Sequence, residues 1–145
     1  MRSYEVRDIP AILALERECA GAPQWGEAFW RSGFPGDAGL RDAFVIEIDE
    51  QVWGYSVASC AVDIAELESV AVSERWRRYG MGMALCEVAM LWARKRGAKA
   101  IQLEVRESNV AALSLYRRIG FVEQGKRPKY YKNPEEDAVL MSADL

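Results

Sequence analysis

The chain predicts an α/β fold in which one mixed sheet is flanked by helices. Three observations carry this. The apolar run Leu67 to Val72 is followed by a glycine-bearing loop and then by the amphipathic run Met83 to Arg96. Residues 100–105 alternate Ile101, Leu103 and Val105 against Gln102 and Glu104, the period of a half-buried strand. A further helical stretch ends at Gly120 and gives way to more strand-like sequence. Strands and helices therefore interleave around one sheet.

Taken in order, Asp8-Ile9-Pro10 precedes a helix with Ile12, Leu13, Leu15 and Cys19 on or near one face. Asp8 is placed to cap it, with Pro10 near its first turn. Residues 21–39 are rich in Gly, Pro, Trp and Phe and predict loops around a short helix, Glu27 to Arg31. Ala43 to Ile48 and Val52 to Cys60 read as strands joined by a turn at Asp49-Glu50. A third strand runs from about Glu66 to Val72. Leu85, Val88, Ala89 and Trp92 form an i, i+3, i+4, i+7 stripe on the next helix, which Gly97 stops. After the strand at 100–105, Ser108 or Asn109 caps a helix. Phe121-Val122 starts another strand, and Ala138 to Met141 is the last.

At 145 residues the chain predicts a single domain spanning 1–145. No apolar run approaches the roughly 20 residues of a membrane span, and no signal peptide opens the sequence. Cys19, Cys60 and Cys86 lack CxxC spacing and read as reduced thiols in a cytoplasmic protein without a metal site. Histidine is absent. That removes Ser-His and Cys-His nucleophilic chemistry, leaving acid–base work to carboxylates, tyrosines, lysines, thiols or water.

The net charge of −3 divides unevenly: residues 1–70 carry 5 basic and 13 acidic side chains, residues 71–145 carry 14 and 9. The basic residues are spread out and the total is acidic, which argues against nucleic acid. The positive half contains Arg77-Arg78-Tyr79-Gly80-Met81-Gly82, between a strand and a helix. Glycines there let a ligand approach the backbone, and the first N–H groups of the helix attract an anion. A phosphate fits. A P-loop would close with Gly-Lys-Ser/Thr, but Met83-Ala84 follow Gly82. A Rossmann turn would place a small residue where Leu85 stands. A plain strand-to-helix turn is the remaining alternative.

The wider pattern is more specific. Glu68 to Val72, Arg77 to Gly82, Leu103-Glu-Val-Arg106, Ser108-Asn109, Ala112 to Tyr116 and Ile119-Gly-Phe121 occur in one order. This set resembles the GNAT superfamily of acetyl-CoA-dependent N-acetyltransferases. With Tyr130-Tyr131, it most resembles the RimI-type branch, which acetylates the N-terminal alanine of a ribosomal protein. The likeness is strong over residues 66–141 and weak over the first 60. It implies a mixed, mostly antiparallel sheet of about six to seven strands, about four helices, and a splay between the fourth and fifth strands.

The resemblance also assigns roles. Acetyl-CoA is the implied cosubstrate, its pyrophosphate on the backbone of Arg78, Tyr79, Gly80, Met81, Gly82 and Met83. Arg77 and Arg78 are placed to add charge. Val70, Ala71 and Val72 offer a strand edge to the pantetheine amides, and Asn109 stands at a coenzyme contact while also suiting an N-cap. Glu104 is the implied general base and Tyr116 the implied acid. Glu66, the base position of a histone-acetylating branch, and Glu68 compete with Glu104; a paired surface carboxylate and a core tyrosine are the plainer readings. Trp25, Tyr130 and Tyr131 match substrate-binding positions, although ordinary packing accounts for such aromatics too. Tyr79 and Ala20-Gly21-Ala22 depart from the commonest branch pattern.

The implied acceptor is a protein N-terminus, in the RimI-type branch that of a ribosomal protein, with no nucleic acid, membrane or metal involved. An α-amine of pKa about 8 is roughly one tenth neutral at pH 7, against about one part in 2,500 for lysine. It therefore asks little of its base. A small-amine acetyltransferase and a non-catalytic acetyl-CoA-binding domain are the competing readings.

Overall fold

The computed structural model describes residues 1–19, 21–34 and 40–145. Ala20 and the end of the loop-rich stretch, residues 35–39, lie outside the described residues. The strands are β1 (Arg2–Ser3), β2 (Arg41–Ile48), β3 (Gln51–Ala61), β4 (Ile64–Val72), β5 (Ala100–Arg106), β6 (Val122–Tyr131) and β7 (Glu136–Asp144). The helices are α1 (Ile9–Glu18), α2 (Glu27–Arg31), α3 (Met81–Lys95) and α4 (Val110–Ile119), with 3-10 turns at Val6–Asp8 and Glu74–Trp76. The strands form one sheet in the order β1-β2-β3-β4-β5-β7-β6. All neighbours are antiparallel except β4 and β5.

That parallel pair holds for only three residues, Ile64 to Glu66 against Ala100 to Gln102. Beyond them β4 and β5 diverge, and the splay expected of the sheet opens.

Each face of the sheet has its own core. On one, Cys86, Ala89 and Trp92 of α3, with Leu113 of α4, stand over Ala58, Ala65, Leu67, Ile101 and Leu103. On the other, Ile9, Ile12 and Leu15 of α1 and Trp30 of α2 cover Val45, Tyr55, Val57 and Ala71. Burial of such side chains is worth roughly 1.5–3 kcal/mol each, and it dominates the stability of the elements.

β4 changes faces along its length. Ala58 pairs with Leu67 and Val57 with Ser69, so Glu68 is an extra residue in a β-bulge. Before it Ala65 and Leu67 enter the α3 core; after it Ala71 enters the α1 core and Val70 packs on the α3 side. The bulge bends β4 where the splay begins.

Asp8 behaves differently from its expected role. It stands at the N-cap of α1, but its carboxylate makes no cap bond to that helix. Instead it takes the Arg2 guanidinium at 2.7 and 2.9 Å and the Glu5 N–H at 2.7 Å. A full charge from Arg2 outcompetes a neutral helix N–H, and the bond pins β1 to α1.

Candidate active site

The open edge of β4 forms one wall of the splay. Ser73 donates its N–H to the Trp53 carbonyl at 2.8 Å. Antiparallel alternation then turns the backbone groups of Ala71 toward β3 and those of Val70 and Val72 toward the gap. The Val72 carbonyl accepts from Arg77 Nε at 3.2 Å and Cys19 Sγ at 3.5 Å, both from outside the sheet. Arg77 also approaches the Cys19 sulfur at 3.6 Å. Its guanidinium is thus folded back onto the end of β4 rather than held out over the glycine loop.

The loop ends at Gly80, the N-cap of α3, with φ 79°. That left-handed backbone is what requires glycine there; a Cβ would meet nothing within 4 Å. Gly82 has another reason. A Cβ there would stand 3.0 Å from Leu115 Cδ2, so the glycine lets α3 approach α4 closely. Arg78 also has a left-handed φ, 70°, uncommon in a non-glycine residue. Met81 and Gly82, expected in the loop, form the first turn of α3. Among the described residues, the N–H groups from Arg78 through Met83 find no acceptor. Those of Met81, Gly82 and Met83 belong to the first turn of α3, at the positive end of its dipole, where an anion is favoured.

Acidic groups gather at the bottom of the gap. Glu68 is gripped by Arg41 at 2.7 and 3.0 Å. Among the described residues Glu66 makes no ion pair, and its carboxyl is pushed up by burial first and then by the charges of Glu68 and Glu104. Glu104, half-buried on β5, lies 3.6 Å from Arg127 of β6. Its carboxylate holds the Tyr130 phenol above the ordinary tyrosine range. Tyr131 is pushed up to about 12, by burial and then by Glu104, with Arg106 4.5 Å over its ring.

Tyr116 on α4 reaches the same region from the other face of the sheet. Its ring packs edge-on against Phe121, with centroids 5.7 Å apart, and contributes to the α3 core. Its hydroxyl makes no hydrogen bond among the described residues. Burial raises its pKa, followed by the Cys86 thiol and Tyr131. Tyr131 thus stands between the two, felt by Tyr116 and itself feeling Glu104.

The loop from α1 to α2 crosses the mouth of the splay. A Cβ on Gly21 would stand 3.8 Å from Asn109 Nδ2, while Asn109 Oδ1 caps α4 by accepting from Ala112 N at 3.2 Å. Trp25 stacks on Phe29, with centroids 4.6 Å apart, and belongs partly to the α1 core. The residue that holds this loop is Glu16, which sequence reasoning passed over. It is 2% exposed and accepts from Trp25 N at 3.0 Å, Gly26 N at 3.2 Å and Trp30 Nε1 at 3.3 Å. The available signal was its position, one residue past Leu15 on the apolar stripe of α1, where a carboxylate needs partners.

Fold and site together define a class: an acyl-transferase sheet, split between two parallel strands, with an anion cradle at one end of the split. The chain belongs to the acetyltransferase (GNAT) family, whose model matches residues 9–121. It is similar to ribosomal protein bS18-alanine N-acetyltransferase of Escherichia coli K12, at 33% identity over 99% of this chain and 95% of that protein. The crystal structure of the ribosomal-protein-S18-alanine N-acetyltransferase from Escherichia coli superposes with a TM-score of 0.85 at 31% identity, covering 99% of this chain and 91% of that one. A putative streptothricin acetyltransferase from Bacillus anthracis, solved in complex with acetyl coenzyme A, has a TM-score of 0.68 at 26% identity, covering 73% and 63%. The RimI-type resemblance thus extends over nearly the whole chain. Among the described residues no helix is long and apolar enough to cross a membrane, and no cluster of His, Cys, Asp or Glu could hold a metal ion.

Proposed function

We propose that the chain transfers an acetyl group from acetyl-CoA to the α-amino group of a protein N-terminus, with the N-terminal alanine of a ribosomal protein as acceptor. One observation carries the reading: a single gap holds the edge of β4 at Val70 and Val72, beyond its pairing with β5, the N–H donors of Arg78 to Met83, and the carboxylates Glu66 and Glu104. Those residues fit an extended amide chain ending in phosphates. The Bacillus anthracis relative with acetyl coenzyme A supports the same donor, and the full-length likeness to the bS18-alanine enzyme supports the acceptor. A ribosomal acceptor implies a cytoplasmic location.

The thioester supplies an activated acyl carbon and a thiolate leaving group. Val70 and Val72 orient the donor by strand addition, and the N–H groups from Arg78 through Met83 hold the pyrophosphate. Ala71 supports that edge from the core, and Asn109 keeps Nδ2 directed at the Gly21 loop. Glu104 receives the proton of the acceptor ammonium, directly or through water. Tyr116, protonated at neutral pH as any phenol is, donates its proton to the departing sulfur. Trp25, Tyr130 and Tyr131 line the acceptor side, with the Tyr130 phenol beside the Glu104 carboxylate.

The test is turnover of acetyl-CoA, followed by thiol release, on a panel of Ala- and Ser-starting peptides, N-blocked lysine peptides and free polyamines. Turnover on Ala-starting peptides is expected. Turnover on free amines alone would replace the reading by a small-amine acetyltransferase. Tight acetyl-CoA binding with no turnover would make the chain a binding domain.

A further inference from the structure

Resting on the acetyl-CoA reading, we propose that Tyr79, seated on Trp76, stacks against the adenine ring of the coenzyme and sets the affinity for its nucleotide half. Tyr79 leaves 72% of its surface in solvent, an unusual exposure for a large ring immediately beside a buried helix start. Its position is nonetheless fixed. The ring meets Trp76 edge-on, with centroids 5.6 Å apart and planes at 64°. Trp76 in turn leans on Trp53 of β3 at 6.0 Å, and the Arg75 guanidinium lies 5.5 Å over the Trp53 ring.

A row of aromatic side chains thus runs from the sheet into the glycine loop and ends in Tyr79. A ring has two faces, and one inclined contact, with Trp76, leaves a face of this exposed ring for a flat partner. Arg78, in the left-handed region, and Gly80, likewise left-handed, flank Tyr79 and set the direction of its backbone. Tyr79 also lies within the run of six N–H donors. Phosphates on those donors bring the attached nucleoside to the same loop, one sugar from the anion. A purine is the flat aromatic piece of this ligand, and an exposed tyrosine with neutral charge recognises it by stacking.

The experiment is calorimetric binding of coenzyme A and, separately, of 4′-phosphopantetheine, which lacks the adenosine. For Tyr79→Ala we expect coenzyme A to bind about tenfold more weakly with 4′-phosphopantetheine unchanged, whereas Tyr79→Phe and Tyr79→Trp keep both affinities within about twofold of wild type. Unchanged coenzyme A affinity in Tyr79→Ala would overturn the stacking. Equal losses for the two ligands would overturn it too, since they would assign Tyr79 to holding the loop. Wild-type protein that binds neither ligand would instead overturn the acetyl-CoA reading itself, and the stacking with it.

Discussion

Arg41 holds Glu68 with both ends of its contact surface, Nε to Oε1 at 2.7 Å and Nη2 to Oε2 at 3.0 Å. The pair is largely sheltered and joins β2 to the bulge of β4, so Glu68 is a structural acid rather than a free base. Glu68→Gln is expected to cost about 1–3 kcal/mol in urea unfolding while kcat stays within about twofold. A large loss of kcat with unchanged stability would make Glu68 the base.

Glu104 and Glu66 remain. Glu104→Gln is expected to remove the rise in rate along the low-pH limb of the profile, and the same loss in Glu66→Gln alone would move the role to Glu66. Glu66 makes a separate prediction about stability. Its folded-state pKa is raised, so its favourable contribution is complete below the unfolded carboxyl pKa, about 4.3, and is lost as pH rises through the folded value. Glu66→Gln should therefore unfold at higher urea than wild type at pH 8 and lose that advantage at pH 4.

Tyr116→Phe tests the acid without disturbing the core. The hydroxyl makes no hydrogen bond among the described residues, and the ring contact with Phe121 survives in the variant. We expect kcat to fall about 100-fold with coenzyme affinity and urea midpoint nearly unchanged. Unchanged kcat would reduce Tyr116 to a packing residue.

Glu16→Ala strands three donors, Trp25 N, Gly26 N and Trp30 Nε1, in a buried place. The expected loss is about 3 kcal/mol or more in urea unfolding. Glu16→Gln keeps an acceptor and the volume. It should recover part of the stability and show a raised KM for the acceptor peptide, because Trp25 is less firmly held. Wild-type stability in Glu16→Ala would show that the loop does not depend on this carboxylate.

Much of the fold is legible in the periodicities. The stripe Leu85, Val88, Ala89, Trp92 defines α3, and the alternation of Ile101, Leu103 and Val105 defines β5, because burial on one side imposes the period. β6 resists such reading: Val122 to Tyr131 is exposed nearly throughout and exists through its ladder with β7. β1, two residues long, is held by pairing with β2 and by the Arg2–Asp8 bond. The bulge at Glu68 is invisible locally, since an extra residue in a ladder is defined only by its partner strand. For the same reason Glu16 and the Arg41 clasp on Glu68 emerge only when distant residues meet. The glycine loop was legible in kind, but the division of labour within it was not: Gly80 serves the backbone angle and Gly82 serves Leu115.

The end of α1 has a further consequence. Glu18 takes Ser73 Oγ at 3.3 Å, Cys19 touches the Val72 carbonyl, and the same segment runs on past Gly21 at Asn109 to Trp25, held by Glu16. The end of α1 therefore borders the proposed donor channel, and Trp25, beyond it, stands at the proposed acceptor mouth. A ligand lying along β4 would therefore touch the same end of α1 from which the loop held by Glu16 sets out.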